Sequence, residues 1–165
     1  MNKRKWGIRF DEVGDKLEEV IKNHSNLKTS ETYVAGEIGC AGCDTLKSIH
    51  DIVKENRLGK YLVCGFDIPQ CAQDYINDLI VNFNGRPNVL RISDLEQKRG
   101  LNFNEMYLFL LSNPQEFIRN CLPFEFDLVN VDGIHSKNWV QKDFLSIENK
   151  VKKGGFVAFH DYCLN

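Results

Sequence analysis

Short apolar runs of strand length alternate along most of this chain with apolar residues at helical spacing. YVAGEI (33–38), YLVCGFD (61–67), NVLRI (88–92), FDLVNVD (126–132) and the run 155–160 are dense in β-branched and aromatic residues and bounded by turn formers. That pattern predicts five buried strands. Phe10, Val13, Leu17, Val20 and Ile21 predict an amphipathic helix within an N-terminal segment, 1–30. Leu46, Ile49 and Val53 predict a helix from Asp44, and Ala72, Tyr75, Ile76, Leu79, Ile80 and Phe83 another, closed by Asn84-Gly85-Arg86-Pro87. Trp139, Val140, Phe144, Ile147 and Val151 predict a helix stopped by Lys152-Lys153-Gly154-Gly155. Residues 95–122 lack a clean period. Met106–Leu111 is densely apolar and Pro114–Asn120 suits a short helix, so helical or irregular packing over one sheet edge is expected.

Strands alternating with helices at these intervals predict an α/β fold, a Rossmann-like open parallel sheet with helices on both faces. Right-handed crossovers then bring every strand's carboxyl end to one rim, where ligands of such sheets bind. The 165 residues are read as one domain with its core at 33–162, and the chain stops a few residues past the fifth strand.

Charge changes this picture little. Lys and Arg number 21 against 23 Asp and Glu, so no global field selects nucleic acid or an anionic membrane. Lys3-Arg4-Lys5 leads into Trp6-Gly7-Ile8-Arg9 rather than an apolar stretch, which argues against a signal peptide and for a cytoplasmic protein. Cys40 and Cys43 have the gap of a zinc knuckle, but Cys64 and Cys71 supply no matching pair, so a structural zinc is rejected and reduced thiols are expected.

The chemistry-bearing residues sit at the predicted strand ends. Glu37-Ile38-Gly39-Cys40-Ala41-Gly42 turns the first strand into its helix; glycine there lets backbone approach a ligand. Asp67 ends the second strand, where a carboxylate can accept from ribose hydroxyls. The loop lacks the three-glycine spacing that seats a pyrophosphate, and Glu37 would repel one while attracting an ammonium group. That favours S-adenosylmethionine over a nicotinamide cofactor. Asp132 ends the fourth strand with His135 beyond it, and His160-Asp161 ends the fifth. His135 is a candidate base for a hydroxyl proton, or a residue bonded locally. His160 is a metal ligand, or a histidine that holds Asp161.

EIG in the first turn, FD ending the second strand, and FDLVNVDGIHS with KKGGFVAFHDY resemble class I S-adenosylmethionine-dependent methyltransferases. The likeness, from Tyr33 to Tyr162, is to the small-molecule O-methyltransferases of methyltransferase domain family 24. The resemblance implies that Glu37, Gly39 and Cys40 line the methionine end of the cofactor. Asp67 would hold the ribose, Ile68 would lie against the adenine, and Ser93 and Asp94 would make further adenine contacts. Asp132 would lie near the transferred methyl. In metal-dependent relatives that acid shares a divalent cation with two groups ending the fifth strand, here His160 and Asp161. Three departures stand out. Cys43 occupies the place of the family's second loop glycine, with Gly42 one residue earlier. His160 makes the metal set softer than magnesium prefers. The family's further helix and antiparallel strand pair are missing after the fifth strand.

The expected activity is methyl transfer to a small-molecule hydroxyl, on a sugar or natural-product-like acceptor, with oligomeric state left open. Two alternatives stay beside it. One is a metal-dependent hydrolase using Asp132, His135, His160 and Asp161; the other is a non-catalytic cofactor-binding or truncated domain.

Overall fold

A computed structural model of the chain describes residues 11–25, 31–56, 59–69, 88–91 and 101–160. The elements are α1 (Asp11–Ser25), β1 (Tyr33–Ile38), α2 (Asp44–Asn56), β2 (Tyr61–Asp67), β3 (Asn88–Arg91) and β4 (Glu105–Leu110). α3 (Pro114–Cys121), β5 (Phe126–Val131), α4 (Lys137–Ile147) and β6 (Val151–Phe159) follow. The helix expected over 72–83 lies outside the described residues, as do Cys71 and Cys163.

Six strands form one sheet in the order β3-β4-β2-β1-β5-β6, and every neighbouring pair is parallel. Every residue of β1, β2 and β5 is buried, which is why their sequences read as continuous apolar runs rather than alternating ones. Successive side chains still sort to opposite faces. Tyr33, Ala35, Val63 and Leu128 pack with Leu17 and Ile21 of α1 and Leu46, Ile49 and Ile52 of α2. Val34, Ile38, Phe66, Phe109 and Val129 pack with Ile118 of α3 and Ile147 of α4 on the other face. Both faces are therefore covered by helices, as expected.

Three expectations are corrected. Residues 105–110 are neither helical nor irregular: they form β4, inserted between β2 and β3. Met106 to Phe109 are buried and serve both faces, so no period-2 signal marks the strand. Among the described residues the sheet thus has six strands, and β3 lies at its edge.

The second correction concerns β6, which starts at Val151 instead of 155. Lys152-Lys153-Gly154-Gly155 lies within the strand as an irregularity, where Phe126 pairs with Val151 but Leu128 pairs with Phe156. Two steps along β5 therefore span five along β6 (128 − 126 against 156 − 151). Gly154 has φ of +82°, and a Cβ on Gly155 would meet the Asp127 carbonyl at 3.0 Å. Lys152 Nζ turns inward to the Asp127 carboxylate (2.7 Å) and the Thr32 carbonyl (3.0 Å).

Third, of the apolar positions expected to line the buried face of α4 only Ile147 is buried. Asp143 and Ser146 are buried beside it, while Trp139 and Phe144 are exposed.

Chain order reverses between β1 and β5. α2 leaves β1 toward one face and α4 leaves β5 toward the other, which opens a crevice at their carboxyl ends.

Candidate active site

The parallel ladder continues past the strand ends and sets the rim residues in place. Gly39 N–H donates to the Phe66 carbonyl (2.9 Å), Asp132 N–H to Ile38 (2.8 Å) and His160 N–H to Val131 (3.0 Å). Gly39 has φ of +80°, and a Cβ there would lie 2.4 Å from the Gly133 Cα and 2.5 Å from the Asp132 carbonyl oxygen. The loops after β1 and β5 meet backbone to backbone, and only glycine permits it.

Beyond Gly39 the left-handed conformations fall on Ala41 (φ 40°) and Cys43 (φ 60°) rather than Gly42. Cys43 therefore takes a glycine-like backbone at the position where the resemblance places a glycine. The Asp67 carboxylate clasps this loop. One oxygen accepts from Cys40 N–H (2.9 Å) and Ala41 N–H (2.8 Å), and the other from Ile68 N–H (2.7 Å).

A cavity of about 730 Å³ opens over the rim, bordered by all four carboxyl-end loops that follow β1, β2, β4 and β5. Of the residues expected at a cofactor, Gly39, Asp67, Ile68 and Asp132 line it. Glu37, Cys40 and Gly42 stand outside its lining. Glu37 is buried behind the loop; its Oε1 accepts from Asn130 Nδ2 (3.0 Å), while Oε2 has no partner among the described residues. Burial, with Cys43, Asp132 and Asp67 nearby, pushes its pKa well above the usual carboxylate range, against the pull of the Asn130 bond. The Cys40 thiol turns inward toward the carbonyls of Glu37 and Phe66, and burial raises its pKa well above that of a free thiol.

Ser93 and Asp94 lie outside the described residues, and the strand before them is not the neighbour of β2. The strand beside β2 is β4, and the residues after it, Ser112, Asn113 and Gln115, line the cavity. Asp143, a polar residue within the helix predicted after the fourth strand, is 2% exposed and also lines it. Trp139, Lys142 and Arg119 complete the wall that sequence reasoning missed. The signal present in the sequence was Ser112-Asn113-Pro114, a helix start after an apolar run of strand length.

On the other side of Asp132 stand two histidines. His160 Nδ1 lies 2.8 Å and His135 Nε2 3.3 Å from the same carboxylate oxygen, Asp132 Oδ1. Burial raises the Asp132 pKa, and His160 and His135 oppose that rise. One donor atom from each of the three residues falls within 4.8 Å of the other two. The set suits a borderline metal such as zinc or iron(II) better than magnesium. Asp161, the expected third metal ligand, lies outside the described residues. The sequence reading brought Asp132 together with each histidine but did not foresee both on one oxygen.

Among the described residues no helix is long and apolar enough to cross a membrane. No curated protein sequence matches this chain. Several solved structures share its fold. A methyltransferase of Podospora anserina, solved with S-adenosylhomocysteine bound, superposes with a TM-score of 0.53 at 12% identity, covering 91% of this chain and 52% of that one. The precorrin-6y C5,15-methyltransferase of Geobacter metallireducens gives 0.54 at 13% identity, covering 90% and 63%. An O-methyltransferase family protein of Burkholderia thailandensis gives 0.50 at 13%, covering 89% and 37%. The chain thus spans about half the length of the structures it matches. A family model described as a methyltransferase domain matches residues 37–162, more than half of the chain. With the last two residues of β1, its glycine turn, Asp67 and the Asp132 loop inside that span, the chain belongs to methyltransferase domain family 24.

Proposed function

We propose that this chain binds S-adenosylmethionine in the rim cavity and transfers its methyl group to a hydroxyl of a small sugar-like or natural-product-like acceptor. The observation that carries the reading is the convergence of Gly39, Asp67 and Asp132 on one cavity at the point where strand order reverses. The methionine end would pass over Gly39, and its ammonium group carries the charge that a carboxylate at Asp132, in the cavity wall, favours. The ribose belongs near Asp67. Its carboxylate already holds three backbone N–H groups, so ribose hydroxyls would share these acceptors or replace a loop contact.

The sulfonium methyl is electrophilic without further activation. The protein needs to align an acceptor oxygen with it, exclude water and accept a proton. His135, half-exposed beside Asp132, is suited to take that proton, and Asp132 holds the imidazole by its Nε2 contact. The family also includes metal-dependent members. Asp132, His135 and His160 would hold such an ion here, and its chemistry would be to lower the acceptor's pKa.

Calorimetric titration with S-adenosylhomocysteine, with NAD as control, tests the cofactor. Saturable one-to-one binding of the former alone is expected; a folded chain that binds neither would refute the reading. The acceptor is sought by mass spectrometry of hydroxylated sugars and polyketide-like alcohols incubated with chain and S-adenosylmethionine, each hit gaining one methyl. The two-histidine set favours one second reading, a metal-dependent hydrolase on Asp132, His135, His160 and Asp161. Tight zinc binding without S-adenosylhomocysteine binding would put it first.

A further inference from the structure

One pair of buried nucleophiles takes no part in the chemistry above. Cys40 and Cys43 flank Ala41 and Gly42 in the turn between β1 and α2. Cys40 is 6% exposed and Cys43 1%. Cys43 N–H donates to the Cys40 carbonyl at 2.5 Å, which closes a four-residue turn. The Cα atoms at the ends of such a turn lie within about 7 Å, and a disulfide spans about 4.4–6.8 Å between Cα atoms. The two side chains also meet: burial first, then hydrogen bonding with the Cys43 thiol, raises the Cys40 pKa well above that of a free thiol. Of the remaining described cysteines, Cys64 is buried within β2, where burial alone raises its pKa, and Cys121 is exposed on α3.

The turn that carries this pair is also a wall of the cavity. Gly39 and Ala41, on either side of Cys40, line it, and neither cysteine does. Cys40 Sγ points instead to the carbonyls of Glu37 (3.5 Å) and Phe66 (3.8 Å), and Cys43 Sγ to that of Ala41 (3.9 Å). A disulfide would bring the two sulfurs to about 2.05 Å, so they must leave these carbonyls and the turn must tighten. Ala41 and Cys43 are already left-handed, with φ of 40° and 60°. A turn bent that far has little slack, and the movement reaches Ala41 and the N–H groups that Asp67 holds.

We propose that Cys40 and Cys43 are a reversible oxidation site, closing to a disulfide in the presence of a small-molecule disulfide and thereby weakening binding of the methyl donor. The proposal rests on the methyl-donor reading above and adds regulation to it. A thiolate at Cys43, directly before α2, attacks one sulfur of the oxidant and releases one thiolate. Cys40, on losing its proton, attacks the Cys43 sulfur of the mixed disulfide and releases the second thiolate. The two protons lost by the cysteines pass to the released thiolates, so the chain gives up two electrons and the oxidant becomes two thiols. Both sulfurs are buried, so the exchange proceeds from a turn that has left Asp67, and a cofactor packed on Gly39 and Ala41 holds that turn closed. Linkage makes the effect reciprocal: the factor by which the disulfide weakens the cofactor is the factor by which the cofactor disfavours the disulfide.

The test places the full chain in glutathione buffers of graded potential, with and without saturating S-adenosylhomocysteine, and quenches by alkylation. Trypsin then releases residues 29–47, which hold Cys40 and Cys43 and no other cysteine, so mass spectrometry reads this disulfide as a loss of two hydrogens. Calorimetry should find the oxidised chain at least about tenfold weaker for S-adenosylhomocysteine than the reduced chain. The ligand should in turn raise the midpoint potential of the pair by about 30 mV for each tenfold. Cys43→Ser should bind equally in reducing and oxidising buffer. The wild-type peptide and potential carry the test if that variant lacks a cooperative melt. Thiols still reduced at 40 and 43 in the most oxidising buffer, a disulfide that leaves affinity unchanged, or an undiminished redox effect in folded Cys43→Ser overturns the proposal and leaves the methyl-donor reading intact. A reduced chain that does not bind S-adenosylhomocysteine overturns both.

Discussion

Replacing Gly39 by alanine tests whether the rim is built on close backbone contact. Two costs add. At φ of +80° an L-residue is strained by about 1–2 kcal/mol. The new Cβ would also sit 2.4 Å from the Gly133 Cα and 2.5 Å from the Asp132 carbonyl oxygen, both backbone atoms that cannot rotate away. Forcing that space open costs about 1–3 kcal/mol more. Gly154 provides the control, because its φ is +82° but nothing lies within 4 Å of its Cβ position. Gly154→Ala should therefore cost the strain alone, and the difference between the two variants isolates the contact at about 1–3 kcal/mol. Urea denaturation followed by circular dichroism measures both. Gly39→Ala should also weaken S-adenosylhomocysteine binding, since relief of the overlap displaces the Asp132 loop. Equal destabilisation of the two variants, within about 0.5 kcal/mol, would refute the claim that these loops meet as described.

Two further predictions concern groups away from the reacting atoms. Glu37 has a raised pKa, so the fold keeps its proton after the unfolded chain has released it. Stability should then fall as pH climbs from the ordinary 4.5 toward the folded value, by at most about 1.4 kcal/mol per pH unit. Glu37→Gln should flatten that fall in denaturation midpoints measured from pH 5 upward; an unchanged slope would mean Glu37 is not desolvated. Asp127 is 1% exposed near the opposite end of β5, where it accepts from Val34 N–H (2.8 Å) and Lys152 Nζ (2.7 Å). Asp127→Ala leaves Lys152 without its carboxylate and should cost about 3 kcal/mol in urea without altering cofactor binding. A loss below about 1 kcal/mol would show the pair to be weak.

Much of this was determined by the sequence alone. Tyr33–Ile38, Tyr61–Asp67 and Phe126–Val131 are dense apolar runs because helices cover both sheet faces, and periodic apolar residues mark α1 and α2. Strand ends in a parallel sheet share one rim, so Gly39, Asp67 and Asp132 could be grouped without coordinates. What required the tertiary structure was everything set by which strand pairs with which. A strand buried on both faces has no period, and its neighbours are chosen by contacts distant in sequence, so Glu105–Leu110 gave no sign that it lies beside β2. That pairing brings Ser112 and Gln115 to the cavity, and the direction in which α4 packs brings Asp143 to meet them. A lone aspartate amid a helix reads as solvated until packing shows it buried; its partner lies 28 residues away on another helix, beyond the reach of any local pattern.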